Sequence, residues 1–323
     1  MRVFVTGGNG FIGSVVVRLL AGRGWRVRCL LRPTADTRRL AGLDFERVEG
    51  DIRRPQEWTE AVAGCDAAIH LASISNWSQM SSGEMESVIV GGTRNLLSAA
   101  AEAGCSKVVH VSSSLAVCGS VKPRIFDETT VNVLNLRKLR YARAKTLAED
   151  LCRQAVQRGL HVVIVNPCEV YGPNDTTLVT ARNLIDFAKS SPVLVCAGGT
   201  SVAHVDDVAD GILAALERGR AGERYILGGE NLTVRQIAEL TQELLGRKKR
   251  ILQLPNWLVR GLAWAGRKLR LPLPFDAEVI PYATRYWLMD SSKARRELGV
   301  SFRNARDTLR PTLQWLQEAG YVD

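Results

Sequence analysis

Residues 5–14 read VTGGNGFIGS, and the spacing of their glycines governs how the rest of the chain is read. Gly7, Gly10 and Gly13 stand three apart where the apolar, β-branched run RVFVTG gives way to GFIGSVVVRLLAGRG, whose apolar residues recur at helical spacing and which closes on Gly24. Glycine at such a turn lets backbone approach a bound group closely, and the following helix offers unpaired N–H groups and the positive end of its dipole. A turn that needs glycine for packing alone would show the same letters. Context separates the two: the triplet ends the first strand and opens the first helix, and WRVRCLLR then alternates as a second strand, completing a βαβ unit. That context predicts a dinucleotide site, with Gly7, Gly10, Phe11, Ile12 and Gly13 around the pyrophosphate.

Outward from this unit the alternation continues. FERVEGD, AAIHLAS, KVVHVSSS and HVVIVNP read as strands; PQEWTEAVAG, VIVGGTRNLLSAAAEAG and the stretch around 141–158 read as helices. Strands that are apolar nearly throughout, alternating with helices, imply a parallel sheet covered on both faces. Beyond residue 167 the alternation weakens and prolines accumulate, although HVDDVADGILAALERG and RYILGG still read as a helix and a strand returning to the main sheet. The expected fold class is α/β: a Rossmann-type doubly wound parallel sheet with a smaller C-terminal α/β substrate lobe. Residues 1–167 plus 204–228 are assigned to the dinucleotide-binding domain, and 168–203 plus 229–323 to the lobe.

The tip of the second strand selects the dinucleotide, because an acidic residue there suits a ribose 2′-hydroxyl and an arginine suits a 2′-phosphate. Here CLLRPTADTRR places Arg32 at the tip, with Arg38 and Arg39 beyond, and the nearest carboxylate, Asp36, four residues on in a loop. NADP(H) is therefore favoured over NAD(H).

Bulk composition narrows the remaining classes. With 323 residues, 46% hydrophobic and 24% charged, the chain has ample material for a core. The net charge of +10 is dispersed, without a zinc-finger, RNA-binding or basic-zipper pattern, so no nucleic-acid partner is expected. Seven scattered cysteines, never spaced C-x-x-C, suggest neither disulfides nor zinc, and a reducing cytoplasm fits them best. The start of the chain does not read as a leader, and no run of 18 apolar residues occurs. The histidines (70, 110, 161, 204) form no ligand-spaced pair; His204 with Asp206 and Asp207 reads as a helix start rather than a metal site, so no metal is expected.

YARAK, residues 141–145, sets Tyr141 and Lys145 four apart, on one face of a helix. Together with TGGNGFIG, GD at 50–51, HLAS at 70–73 and VSSSLAVCG at 111–119, it makes the sequence resemble an extended short-chain dehydrogenase/reductase over essentially its whole length. Within that superfamily VIVNPCEVYGPND, HVDDVADGILAALERGRAGERYILGGENLT and DSSKARRELG resemble the hopanoid-associated sugar epimerases and dihydroflavonol-reductase-like enzymes. The resemblance implies that Tyr141 is the general acid/base, that Lys145 lowers its pKa from the ordinary value near 10, and that Ser114, with Ser112 and Ser113 as alternatives, orients the substrate oxygen. It further implies Asp51 and Ile52 beside the adenine, Ala72, Ser73 and Ser112 along the cofactor wall, and Pro167 and Cys168 on the nicotinamide side. One departure is Ile89, which stands where such enzymes usually carry an asparagine supporting the active-site helix.

Sugar-nucleotide epimerases and dehydratases typically carry an arginine just ahead of the VDD segment, to hold the phosphates. GTSVAHVDDVA offers Thr200, Ser201, Val202 and Ala203 instead, although Arg182 or Arg285 would substitute from elsewhere. A carbonyl reductase or alcohol dehydrogenase for a small or moderately apolar molecule is the first expectation, a sugar or nucleotide-sugar epimerase or dehydratase the second, and a non-catalytic redox sensor the third. Residues 255–274, PNWLVRGLAWAGRKLRLPLP, mix tryptophan and leucine with basic residues; they read as a lid helix or as peripheral membrane contact, the lid being preferred. The resemblance also implies a homodimer built through paired helices that include the tyrosine helix.

Overall fold

Strand Arg2–Thr6, apolar and almost wholly buried, lies at the heart of a seven-stranded sheet. The computed structural model describes residues 1–74, 84–269 and 277–323. Across the sheet the strands run Arg224–Leu227, Val162–Pro167, Lys107–Val111, Ala67–His70, Arg2–Thr6, Arg26–Leu31 and Glu46–Glu49, and every neighbouring pair is parallel. The chain thus builds outward from Arg2–Thr6 in one direction, then returns to build in the other. The reversal opens a crevice at the carboxyl ends of Arg2–Thr6 and Ala67–His70, where ligands of such sheets bind.

Both faces of the sheet are covered. On one, helices Phe11–Gly22 and Val205–Arg218 pack on Val3, Val5, Val109 and Val163; on the other, Gly92–Glu102 and Arg140–Gln157 cover Phe4, Ala68, Val108 and Ile164. The segment PQEWTEAVAG, predicted as one helix, forms two short 3₁₀ turns, Pro55–Glu57 and Thr59–Val62. Trp58 explains the break, since its ring stacks on Phe4 at 5.9 Å and its Nε1–H donates to the Asp51 carbonyl at 3.0 Å. That side chain is buried, and a continuous helix gives way to its placement.

A second sheet comprises Glu230–Thr233, Gly199–His204, Tyr286–Met289 and Ile125–Phe126, with Glu169–Tyr171 also pairing to Gly199–His204. Val193–Cys196 and Ile251–Leu254 form a separate parallel pair. The two sheets share chain repeatedly. Strand Gly199–His204 runs straight into Val205–Arg218 on the main sheet, and helix Ser292–Leu298 sinks Ala294 and Leu298 into the main core. Among the described residues, no helix is long and apolar enough to cross a membrane.

Candidate active site

The site begins at the two lips of the crevice. Gly7 has φ +72°, and a Cβ there would fall 2.7 Å from Ala72 N; a Cβ on Gly13 would fall 2.1 Å from the Gly7 carbonyl oxygen. Neither position accepts a side chain without displacing backbone. Gly10 precedes helix Phe11–Gly22 without any side-chain cap, so the first N–H groups of that helix are left for an anion. Phe11 and Ile12 are half-buried in its first turn. A cradle that a Cβ would fill, beside an uncapped helix start, fits a dinucleotide pyrophosphate.

At the adenosine end, Arg32 is exposed and its guanidinium makes no ion pair or hydrogen bond among the described residues. Asp36 is already chelated by Arg38, with bonds of 2.7–3.1 Å that hold its carboxyl down to about 2. Arg39 is spent elsewhere, on Asn174 and Thr176. Asp51 is buried and bound through both carboxylate oxygens by Arg53, which holds it down to about 2; Ile52 packs against Gly92.

The lip residue Ala72 donates its N–H to Thr6 Oγ1 at 3.2 Å, and its neighbour Ser73 reaches the Tyr141 phenol. Ser113 stands beside the same phenol, and Lys145 Nζ lies 5.8 Å from the ring centroid while donating to the Val111 carbonyl at 3.0 Å. Ser73 Oγ is buried beside that phenol. Tyr141, Lys145, Ser73 and Ser113 therefore converge a short distance from the glycine cradle.

Ser114 and Ser112 have other partners. Ser114 is buried beside the Cys168 thiol, which also meets Ser201, and burial pushes that thiol up to about 12. Ser112 gives its hydroxyl to Glu149 at 2.6 Å, inside the protein. Pro167 and Cys168 close the end of strand Val162–Pro167, paired to Leu227.

Burial, rather than the lysine, dominates the phenol: it pushes Tyr141 up to about 12, with the Ser73 and Ser113 hydroxyls pulling against it. The expectation that Lys145 lowers this pKa is not met, because burial penalises phenolate more than the neighbouring hydroxyls favour it. Lys145 itself is lowered to about 8 by burial, partly offset by Glu149. At neutral pH the pair is therefore a protonated phenol beside an ammonium. Beneath them His70 and His110, from adjacent strands, sit 5.4 Å apart, and burial holds both neutral, His70 at about 3.

Several contributors were not picked out in the sequence. Glu149 lies one turn beyond Lys145 and gathers Ser112, Asn166 at 2.7 Å, Arg153 and Arg224; Asn166 also donates to the Ser113 carbonyl at 2.9 Å. The i, i+4 step from Lys145 and a polar residue inside the apolar run HVVIVNP are the signals that would have found them. Tyr282 OH accepts from the Tyr141 N–H at 3.1 Å, and nothing local in its sequence announces this. Ile89, where an asparagine was usual, is buried among Met85, Ala144 and Ala148 against the tyrosine helix, so packing supports that helix there. No cluster of three or more His, Cys, Asp or Glu among the described residues is arranged to hold a metal.

A sheet reversed at a glycine cradle, with a tyrosine and a lysine beside it, defines a nicotinamide-dinucleotide enzyme of the short-chain type. The profile of the NAD dependent epimerase/dehydratase family matches residues 3–228, and the chain belongs to that family. It is 32% identical to sterol demethylase protein B of Methylococcus capsulatus, over 100% of both chains. It is 31% identical to a 4-hydroxy-2-methyl-3-oxo-4-farnesyl-3,4-dihydroquinoline-1-oxide ketoreductase of Stigmatella aurantiaca, over 99% of this chain and 97% of the other. Among solved structures it resembles the dTDP-glucose 4,6-dehydratase DesIV of Streptomyces venezuelae, solved with NAD bound, at TM-score 0.79 and 27% identity, covering 100% of this chain and 99% of that one.

Proposed function

We propose that the protein is an NADP(H)-dependent reductase that converts a carbonyl on a moderately apolar substrate to an alcohol. The observation that carries this reading is strand Gly199–His204, which backs the cleft through Ser201 and Cys168: it is buried from end to end and holds no cation. A diphosphate-bearing sugar placed against it would lose its hydration without a charge-assisted partner. Of the alternative cations, Arg182 is exposed and paired with Asp186, and the Arg285 guanidinium donates to the Pro281 carbonyl.

The Gly7–Gly13 cradle would hold a reduced nicotinamide dinucleotide, which would supply the hydride and be oxidised in turn. Tyr141 delivers its phenolic proton to the carbonyl oxygen as the carbon is reduced, so that proton and hydride together make the alcohol. The protonated state that burial imposes on Tyr141 suits this direction. The Ser113 hydroxyl, beside the phenol, and Ser114, across from Cys168, hold the oxygen in line. Lys145, charged below about pH 8, stabilises the phenolate left behind. The unpaired Arg32 favours NADP(H), since a 2′-phosphate would give it a partner. A farnesylated ketone substrate and a sterol-related role in the names of two relatives accord with an apolar substrate.

Purified protein titrated with NADPH and NADH, then offered sterol-type ketones and nucleotide sugars while reduced-nicotinamide absorbance is followed, tests the reading. Tighter NADPH binding and one cofactor oxidised per ketone reduced are expected, and Arg32→Ala should narrow the preference by about tenfold. Inversion or dehydration of a sugar nucleotide without net cofactor oxidation would instead establish the epimerase/dehydratase reading, which the DesIV resemblance favours.

A further inference from the structure

Helix Asn256–Leu269 buries only one edge. Val259 and Ala263 pack on Ile280, with Cys196, Leu254 and Ala277 around them. The remaining circumference carries large apolar side chains into solvent: Trp257 is 75% exposed, Trp264 64%, Leu269 64% and Leu262 45%. Trp257 and Trp264, seven residues apart, lie above one another along one line of the helix, and Leu262 and Leu269 along a second, so that large apolar side chains border the outward arc on both sides. A lid packed over the lobe would bury this face, and the structure does not. Residues 270–274 of the predicted stretch lie outside the described residues.

Charge identifies what covers it. From Leu244 through Leu269 the chain contains no carboxylate, while Arg247, Lys248, Lys249, Arg250, Arg260 and Lys268 are basic. Lys268 is exposed on the same helix, with its Nζ 5.0 Å above the Trp264 ring. Arg260, also exposed, is fixed to Thr284 at 3.0 and 3.1 Å. Tryptophan and leucine flanked by cations, in a stretch that itself carries no carboxylate, is the composition that seats a helix at a lipid headgroup boundary. The indoles settle among the headgroups, the leucines reach the acyl chains, and the ammonium meets lipid phosphate.

We propose that this outward face of helix Asn256–Leu269 docks the protein on an anionic lipid bilayer. The placement also has a consequence for the site. The helix rests on Ile280–Ala283, and Tyr282 of that short helix bonds the Tyr141 backbone, so a docked bilayer would lie one helix away from the phenol. The proposal is independent of the reductase reading, because membrane binding is measured without turnover.

The test is sedimentation of the purified protein with vesicles of phosphatidylcholine alone and of phosphatidylcholine with phosphatidylglycerol in equal parts. Binding to the anionic vesicles should be about tenfold tighter or more, weaken with added salt, and be accompanied by quenching of tryptophan emission by brominated lipid. Trp257→Ser with Trp264→Ser should lose about tenfold in vesicle affinity while keeping the melting temperature, and Lys268→Glu should reduce the preference for anionic lipid. The proposal is overturned if the native protein ignores both vesicle types or if the double variant binds as well as the native chain. It is equally overturned if light scattering finds dimers that the double variant separates, since a second copy would then be the occupant.

Discussion

Tyr141, Lys145 and Glu149 occupy successive turns of one helix, and the Glu149 carboxylate favours the charged form of Lys145. Tyr141→Phe removes the only proton the proposed step uses while leaving the glycine cradle untouched. Reductase turnover should fall by about 10²–10⁴-fold, with NADPH affinity within a few-fold of native by fluorescence titration; retained turnover would remove Tyr141 from the chemistry. The pH dependence follows from Lys145. Its pKa is depressed to about 8, so the ammonium that supports the phenolate is present below that value and disappears as pH rises through it. Carbonyl reduction should therefore decline on the alkaline side near pH 8. Glu149 holds that proton on, so Glu149→Gln should move the alkaline limb to lower pH while its amide oxygen still accepts from Ser112 and Asn166. Glu149→Ala would strand those buried donors and cost about 1–3 kcal/mol of stability. A pH profile identical to native in the Gln variant would limit Glu149 to a structural role.

At the level of elements, the first strand–turn–helix was legible because its glycines answer to geometry that no other residue satisfies. Gly13→Ala would drive a Cβ to 2.1 Å from the Gly7 carbonyl, so the helix start must move. We expect a loss of about 1–3 kcal/mol in chemical denaturation together with a drop of about tenfold or more in dinucleotide affinity, since the same shift misaligns the N–H groups. Gly24 provides the contrast: its φ is +71° but a Cβ there meets nothing within 4 Å, so alanine should cost about 1–2 kcal/mol through backbone strain and leave dinucleotide affinity unchanged. The tyrosine helix was equally readable, because Tyr141 and Lys145 declare one face. What escaped was decided at a distance. The PQEWTEAVAG pattern is helical by period, yet Trp58 is claimed by Phe4 and the Asp51 carbonyl. Among the serines, position relative to Gly119 selected Ser114, whereas only the folded loop brings Ser113 to the phenol. The second sheet was hidden for the same reason: Ile125–Phe126 finds its partner in Tyr286–Met289, more than 150 residues away.

Across the whole molecule, the two sheets are joined by more than the chain. Strand Gly199–His204 of the second sheet becomes helix Val205–Arg218 of the first, and at that junction Asp207, buried, accepts from the Arg303 N–H at 2.8 Å and pairs with its guanidinium at 3.4 Å. On the other side of the cleft Glu128 accepts from the Ile226 N–H at 2.8 Å, and Arg224 donates to the Glu128 and Thr130 carbonyls at 2.9 and 2.8 Å. With Ala294 and Leu298 also returning to the main core, opening either lobe exposes the other's apolar surface, so the two should unfold together. Far-UV circular dichroism and bound-NADPH fluorescence, followed through the same urea titration, are expected to report coincident midpoints. Asp207→Ala leaves the Arg303 amide and guanidinium without their buried acceptor and should lower stability by about 1–3 kcal/mol, still in one transition. Two separated transitions, with dinucleotide binding surviving the first, would mean that the main sheet is stable alone and that these contacts orient the lobe without sharing its folding.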